Sequence, residues 1–460
     1  MISIQENFLQ QSGNKLPPRI REPKLLQILW GVLQQKDYLE KMSKRYGDIF
    51  IGEFAGFPTA AIISHPQGIQ EIFTADAKLF ETGPGNSIMQ PLVGSNTLIL
   101  LDGDRHIQRR KLLMPPFHGE RMRAYGHLMC DITEQVMSQL KVGQTFIARE
   151  FMQEISLTVI LRAVFGLQEG KRYEQIKQAL TDILKSFSTP LKAMVLFFKG
   201  LQHDLGSWSP WGYFLRQREA LDKLIYQEIQ ERRNHPDPSR EDILNLLLSA
   251  RDDEGQPMTD VELRDELMSM LFAGHETTAT ALSWALYWIH SLPEVRDKLL
   301  QELNSIDISV TEHTEIAKLP YLNAVCSETL RMYPVVFFTQ ARILQAPMQL
   351  MGYEIPKGIM LSPCIYLTHH RSDIYPEPKK FKPERFLERQ FSPYEYLPFG
   401  GGNRRCLGMA FALFEMKLVL TTILSRYSFA LADRSPVLPV RRGITFSPSG
   451  GVRLIVRDRR

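Results

Sequence analysis

Residues 399–408 read FGGGNRRCLG and run directly into the apolar stretch LGMAFALFEMKLVLTTIL at 407–424. Glycines allow backbone paths and close approaches that side chains would block. The spacing of the apolar residues predicts a helix from about Cys406 to Ser425. A cysteine at a helix N-terminus sits among free N–H groups at the positive end of the dipole, where a thiolate is stabilised. Gly400, Gly401 and Gly402 do not form a phosphate cradle, because no G-x-x-x-x-G-K-[ST] pattern and no strand pattern accompany them. A lone cysteine is ordinarily a small core residue. Two readings of Cys406 therefore stand at this point: core packing, or a thiolate ligand.

The other cysteines, Cys130, Cys326 and Cys364, are far apart and form no C-x-x-C pair, which argues against a zinc ribbon or a disulfide framework and suits a reducing compartment. The 460 residues are 44% hydrophobic and 23% charged, with 28 Pro and 29 Gly, enough apolar content for a large core and no sign of extended disorder. A net charge of +4 is too small to indicate nucleic-acid binding. One stretch is locally basic, with Arg105, Arg109, Arg110, Lys111, Arg121 and Arg123 against Glu120. It reads as a solvated helix face, a docking patch or an anion site. Met1 to Lys15 is polar and lacks the apolar core of a secretory signal.

Leu267 to His290, LMSMLFAGHETTATALSWALYWIH, has the length of a membrane span but carries Gly-His-Glu-Thr-Thr at its centre. Those groups are expensive in lipid, so a helix in the middle of a soluble core is expected. Thr259 and Glu262 predict a capping box at its start, and Pro293 lies just past its end. Another helix is expected from Pro320 to before Pro334. Asp48 to Ser64 reads as a hairpin, Val335 to Leu367 as short strands, and Arg232 to Arg240 as a loop. The composition never shifts enough to mark a linker.

Three further groups carry chemistry. Ala273 and Thr277 share a helix face, with Glu276 beside it: a small residue admits a flat ligand, a hydroxyl and an acid can carry protons. Equally, a mid-helix threonine can simply bond back to its own helix. His275 reads as structural rather than as a metal ligand. Glu328 and Arg331 place opposite charges three apart, usually no more than an exposed pair worth about 0.2–0.5 kcal/mol. His106 and Arg110, four apart, share a face of a predicted helix, and each alone reads as a surface charge.

Phe399, Gly402, Arg404, Cys406 and Gly408 together resemble the haem-binding pattern F-x-x-G-x-R-x-C-x-G of the cytochrome P450 family. Ala273-Gly274-His275-Glu276-Thr277 resembles its A-G-x-[DE]-T motif, and Glu328-Thr329-Leu330-Arg331 with Pro383-Glu384-Arg385-Phe386 its charged network. The similarity runs from Leu16-Pro17-Pro18 to the terminal strands. It implies a mainly α P450 fold, a large helical domain with a small β-rich region, spanning 1–460 as one domain with β-rich parts near 48–64, 335–367 and 428–458. It implies haem b (iron protoporphyrin IX), with Cys406 as iron ligand, Phe399, Gly408 and Ala273 against the ring, and His106, Arg110, Arg342 and Arg404 at its propionates. Glu276 and Thr277 would deliver protons to dioxygen, and Glu328, Arg331 and Arg385 would set the cysteine loop.

The resemblance also implies an external monooxygenase acting on a lipophilic molecule such as a fatty acid, terpenoid or steroid. Phe187, Phe197, Phe198, Phe337, Phe338 and Thr339 are the expected pocket residues. Electrons would come from a separate ferredoxin-type donor with an NAD(P)H reductase, received at Arg109, Lys111, Arg121 and Arg123. The expectation is a cytoplasmic monomer of the soluble bacterial form with no transmembrane anchor and at most peripheral membrane contact. Its texture is similar to a cyanobacterial group associated with fatty-acid hydroxylation. A haem-thiolate isomerase or dehydratase acting on a peroxide is the alternative enzyme, though it needs no Glu-Thr pair. A haem sensor or carrier is the non-catalytic alternative.

Overall fold

The apolar segment at 267–290 folds as the middle of one helix, Asp260–Ser291. Its start is fixed by the capping box: Thr259 Oγ1 accepts from the Glu262 N–H at 3.3 Å, and the Thr259 N–H donates to Glu262 Oε2 at 2.9 Å. Such a cap is worth about 1 kcal/mol. The structure, a computed structural model, describes residues 15–460 apart from 55, 118, 120, 188, 189, 309 and 434. Most of the polar opening and Glu120 thus lie outside the described residues. Among the described residues no helix is long and apolar enough to cross a membrane. The long helix is apolar all round because protein surrounds it: helices Ala148–Phe165, Pro210–Asn234, Pro320–Met332 and Met409–Arg426 pack against it. Gly274 permits the closest of these approaches, since a Cβ there would stand 2.7 Å from Ile160 Cδ1.

The strands gather beside this helical body. Ile49–Gly52 and Ala60–Ile63 pair antiparallel with Ile49 opposite Ile63, and every residue of both strands is buried. Met360–Pro363, Arg342–Leu344 and Phe80–Glu81 continue that sheet. Thr145–Ile147 and Tyr427–Leu431 flank Arg453–Arg459 in a second sheet. The hairpin Pro439–Arg442/Thr445–Pro448 lies with its second strand against the long helix.

Two local readings need correction. Helix Pro210–Asn234 runs into the stretch read as a loop from Arg232. Arg232 keeps its place in the helix because its buried guanidinium bonds Glu228 at 2.8 Å and Asp242 at 3.0 Å. The strand region at 335–367 ends in a short helix, Ile365–His369, rather than another strand.

Candidate functional site

The cysteine loop is a backbone construction, and the glycines in it have identifiable reasons. Gly400 and Gly402 have φ of 66° and 63°, the left-handed region. Gly401 is required by crowding, because a Cβ there would stand 2.2 Å from the Phe73 ring. The Cys406 N–H donates back to Phe399 O at 2.9 Å, closing the loop. That bond delays the following helix, which starts at Met409 and not at Cys406. Cys406 therefore stands just before the helix N-terminus rather than in its first turn. Burial pushes its thiol pKa up, while the Gly408 N–H and the Arg110 and Arg405 guanidiniums pull it down. Those three are the donors and charges that favour a thiolate here.

Around this loop lies an excess of cations. Arg404 is 7% exposed; its Nη2 pairs with Asp102 at 2.6 Å and its Nη1 reaches Leu98 O at 3.3 Å, but its buried Nε has no partner among the described residues. Arg342, 2% exposed, donates only to carbonyls, Gln340 O and Gly401 O, each at 3.1 Å. Arg110 donates to Arg405 O at 2.9 Å. Among the described residues Asp102 is the one carboxylate paired with any of these three guanidiniums. Burial pulls Arg404 and Arg342 down to about 10, so both remain cations at neutral pH. His106, buried beside them on helix Gly103–Leu113, is pulled down to about 4 by burial and by Arg404 and Arg110, and is a neutral donor. An orphaned guanidinium N–H and uncompensated charge fit a ligand with carboxylates at its edge, and a haem has two.

Glu328, Arg331 and Arg385 come together as a closed unit. Glu328 and Arg331 are fully buried and joined at 2.6 and 2.8 Å, and Arg385 Nε reaches Glu328 Oε1 at 3.1 Å. The Lys382 N–H adds 2.8 Å to the same oxygen, and Arg331 Nη1 bonds His369 O and Pro378 O. This stacks the helix Pro320–Met332 against the segment that leads to the cysteine loop.

On the long helix Ala273 is exposed although Leu271, His275 and Thr278 close by are buried, so this face opens on a recess. Thr277 Oγ1 donates to Ala273 O, the helix-bonded arrangement. Glu276 turns away to helix Ala148–Phe165, where Arg149 Nη2 and Gln153 Nε2 hold it at 2.5 and 2.8 Å. His275 is buried and pulled down to about 4 by burial, a neutral ring packed inside the fold rather than beside a metal. Nine residues earlier Glu266, almost completely buried and pushed up to about 7, accepts from the Leu98 N–H at 2.8 Å. Leu98 O in turn accepts from Arg404, so one loop ties the long helix to the cation set.

The pocket aromatics divide. Phe187 packs edge-on to Phe214, Phe197 packs against Phe57, and Phe338 meets Phe54 edge-on. Phe198 and Phe338 keep part of their surface, and Thr339 lies 3.9 Å from where a Gly400 Cβ would be. Phe337 is a correction: it is sealed between Tyr366 and Phe446 at ring distances of 4.6 and 3.7 Å and belongs to the core. Arg109 is a second correction, since it is buried and paired with Glu262 and Glu266 and offers no charge to a partner. Asp102, Arg149 and Gln153 escaped the sequence reading. Their partners lie more than a hundred residues away, and only Asp102, just ahead of a helix, carried a local signal as a capping residue.

A thiol in a glycine loop, an anion-seeking arginine set and a threonine-bearing core helix define a haem-thiolate class of protein. The family model described as Cytochrome P450 matches residues 17–453. The chain is 34% identical over 450 residues to "Putative cytochrome P450 135B1" of Mycobacterium tuberculosis, covering 98% of this chain and 93% of that one. It is 31% identical to "Putative cytochrome P450 138" of Mycobacterium bovis, covering 97% of each. A solved structure titled "Retinoic acid bound cyanobacterial CYP120A1" superposes with a TM-score of 0.84 at 28% identity, covering 97% of this chain and all of that one. The cytochrome P450DA heme domain shares the fold, with a TM-score of 0.84 at 22% identity over 97% of this chain and 98% of that one. The chain belongs to the cytochrome P450 family and is a haem-dependent monooxygenase.

Proposed function

We propose that the enzyme inserts one oxygen atom from dioxygen into a lipophilic carbon skeleton, with Cys406 ligating the iron of haem b. The single observation that carries this reading is the set of Arg110, Arg342 and Arg404 around Cys406 with one carboxylate among them. When bound, the haem supplies the oxygen chemistry, which a thiolate ligand favours by donating electron density. The chain's own residues do the rest. Arg404, Arg342, Arg110 and His106 would hold the two propionates, Phe399 and Gly408 would lie beside the thiolate ligand, and Ala273 would leave room for the ring. Thr277 Oγ1 holds a proton at the open face of the long helix. Glu276 replenishes it from the surface side, after release from Arg149. The aromatic walls at Phe187, Phe197, Phe198 and Phe338, with Thr339, exclude water and suit a fatty acid, terpenoid or steroid. The retinoic acid of the cyanobacterial relative is a ligand of this lipophilic kind.

Electrons come from a ferredoxin-type donor served by an NAD(P)H reductase. Arg105, Lys111 and Arg405 are exposed beside a cleft lined by His106, Ile107, Arg110, Met114, Pro115 and Asn403, next to the cysteine loop. An acidic donor docking there makes reduction slow as salt is raised, since exposed charges are screened over about 10 Å at 0.1 M; salt-independent reduction would remove this face from the account. The enzyme works as a cytoplasmic monomer, and exposed Leu25, Leu29 and Leu33 along helix Lys24–Leu33 offer an apolar edge for peripheral membrane contact. The test is oxygen- and ferredoxin-dependent product formation from a lipophilic panel, with Thr277→Ala expected to divert reductant from product to hydrogen peroxide. Unchanged coupling in that variant would remove Thr277 from proton delivery.

A further inference from the structure

The hairpin Pro439–Arg442/Thr445–Pro448 carries adjacent arginines that point to opposite sides of the strand. Arg442 feels the charges of Arg149 and Glu276. Arg441 turns the other way. Its Nε donates to Gly443 O at 3.1 Å, its Nη1 to Gly31 O at 3.4 Å, and its guanidinium carbon lies 4.5 Å from the centroid of the Phe197 ring. No carboxylate among the described residues pairs with it, and burial alone pulls it down to about 10, so it stays a cation. The more deeply buried guanidiniums outside the haem-side set are matched: Arg109 by Glu262 and Glu266, Arg232 by Glu228 and Asp242, Arg264 by Asp222 and Asp265, and Arg331 and Arg385 by Glu328. A charge partly withdrawn from water without a counter-charge is disfavoured, and two backbone carbonyls with an aromatic face offset it only in part.

What surrounds Arg441 is apolar. Phe197 meets Phe57 at 6.5 Å, Phe54 meets Phe338 at 5.9 Å, and Phe54 lies 3.5 Å from where a Gly31 Cβ would stand. The guanidinium thus sits where helix Lys24–Leu33, the turn after Ile49–Gly52 and helix Pro190–Phe197 meet the hairpin. Its Nη2 reaches no acceptor among the described residues, and the side chain keeps part of its surface, as a residue lining a recess does. The other strand of the same hairpin lies along the helix that bears Thr277.

We propose that Arg441 binds the carboxylate of an amphipathic long-chain carboxylic acid whose apolar chain runs past Phe197 and Phe57 toward the recess at Ala273. This rests on the lipophilic-substrate reading above and narrows it from lipophilic molecules at large to lipophilic acids. Arg441 is a specificity residue that fixes one end of the substrate. An alcohol or ester of the same length fills the same apolar space but leaves the cation unpaired, and a site built for a polar group discriminates strongly against ligands that lack it.

The experiment is calorimetric titration of the ferric holoenzyme with palmitate, methyl palmitate and hexadecanol, repeated with laurate and its ester. Palmitate is expected to bind about tenfold or more tightly than its ester or alcohol, the range of a charge-assisted hydrogen bond. R441M is expected to erase that preference by weakening palmitate alone, and R441K to retain most of it. Unchanged ester binding and haem content in R441M show that the variant is folded. Equal affinity for acid and ester in the unmodified protein overturns the proposal without any variant, as does a preference that survives in R441M or a failure of every acid to bind. Calorimetry uses neither dioxygen nor reductant, so a protein that binds acids but does not oxidise them contradicts the monooxygenase reading and leaves this one standing.

Discussion

Two arginine clusters flank the cysteine loop, and they are built on opposite principles. Around Glu328, one carboxylate accepts from Arg331, Arg385 and the Lys382 N–H, and the remaining Arg331 donors close on backbone carbonyls. Around Arg404, only Arg404 itself meets a carboxylate, Asp102, while Arg342 and Arg110 reach backbone carbonyls and the buried Arg404 Nε has no partner among the described residues. The first cluster is complete as folded and has nothing to offer a ligand. The second is incomplete as folded, and its surplus charge is what makes it a binding site. Arg331, Arg385, Arg342 and Arg404 are all buried, so hydrogen-bond completion rather than burial is what separates architecture from function here.

The sharpest way to break this contrast is Glu328→Ala. It strands Arg331 and Arg385 in the interior and should cost ~3–5 kcal/mol, with loss of haem incorporation. Denaturant melts and haem content check it, and a stable, normally loaded variant would show that the network is dispensable. Arg342→Leu should do the reverse: the apo-protein is no less stable, while haem affinity falls by about 10–100-fold, the scale of one hydrogen bond to a charged group. If Arg342→Leu melted the apo-protein as Glu328→Ala does, the two clusters would not differ in kind.

The contrast was half legible in the sequence. The residue types and their order pointed to Cys406, Glu328 and Arg404, because each lies in a short motif. The capping box at Thr259 and the hairpin at 49–63 followed from local rules of the same sort, and the fold class from the family resemblance those motifs carry. What stayed hidden was long-range. Asp102 as partner of Arg404, Arg149 as the clamp on Glu276, and Arg109 as an internal rather than a surface charge depend on which elements meet. Phe337 was misplaced for that reason too, since nothing local announces that Tyr366 and Phe446 close over it. The helix start at Met409 was set by a backbone bond from Cys406 to Phe399 that side-chain pattern does not encode.

Smaller effects refine the picture. Arg149→Leu frees Glu276 without touching the haem-side arginines, so it should alter the fraction of reductant recovered as product while leaving haem content unchanged. Parallel loss of both would make Arg149 a structural residue only. Glu415, on helix Met409–Arg426, is pushed up to about 8 by burial, with Ser156 Oγ at 2.6 Å pulling the other way. The folded state therefore keeps a proton that the unfolded chain releases above its ordinary value of 4.5. Its contribution to stability is present below about pH 4.5 and is lost as the pH rises through about 8. Glu415→Gln should flatten that decline, seen as melting temperatures that converge at low pH and separate at high pH in favour of the variant; identical profiles would mean Glu415 does not titrate there.

The central claim is that Cys406 ligates iron as a thiolate within the Arg404 cluster. The most direct measurement is the absorption spectrum of the reduced, carbon monoxide-bound holoenzyme beside that of Cys406→His. A strongly red-shifted band in the unmodified protein that disappears in the variant, with haem still bound, is the predicted result. A band that is not red-shifted, or one that survives the substitution, would contradict it.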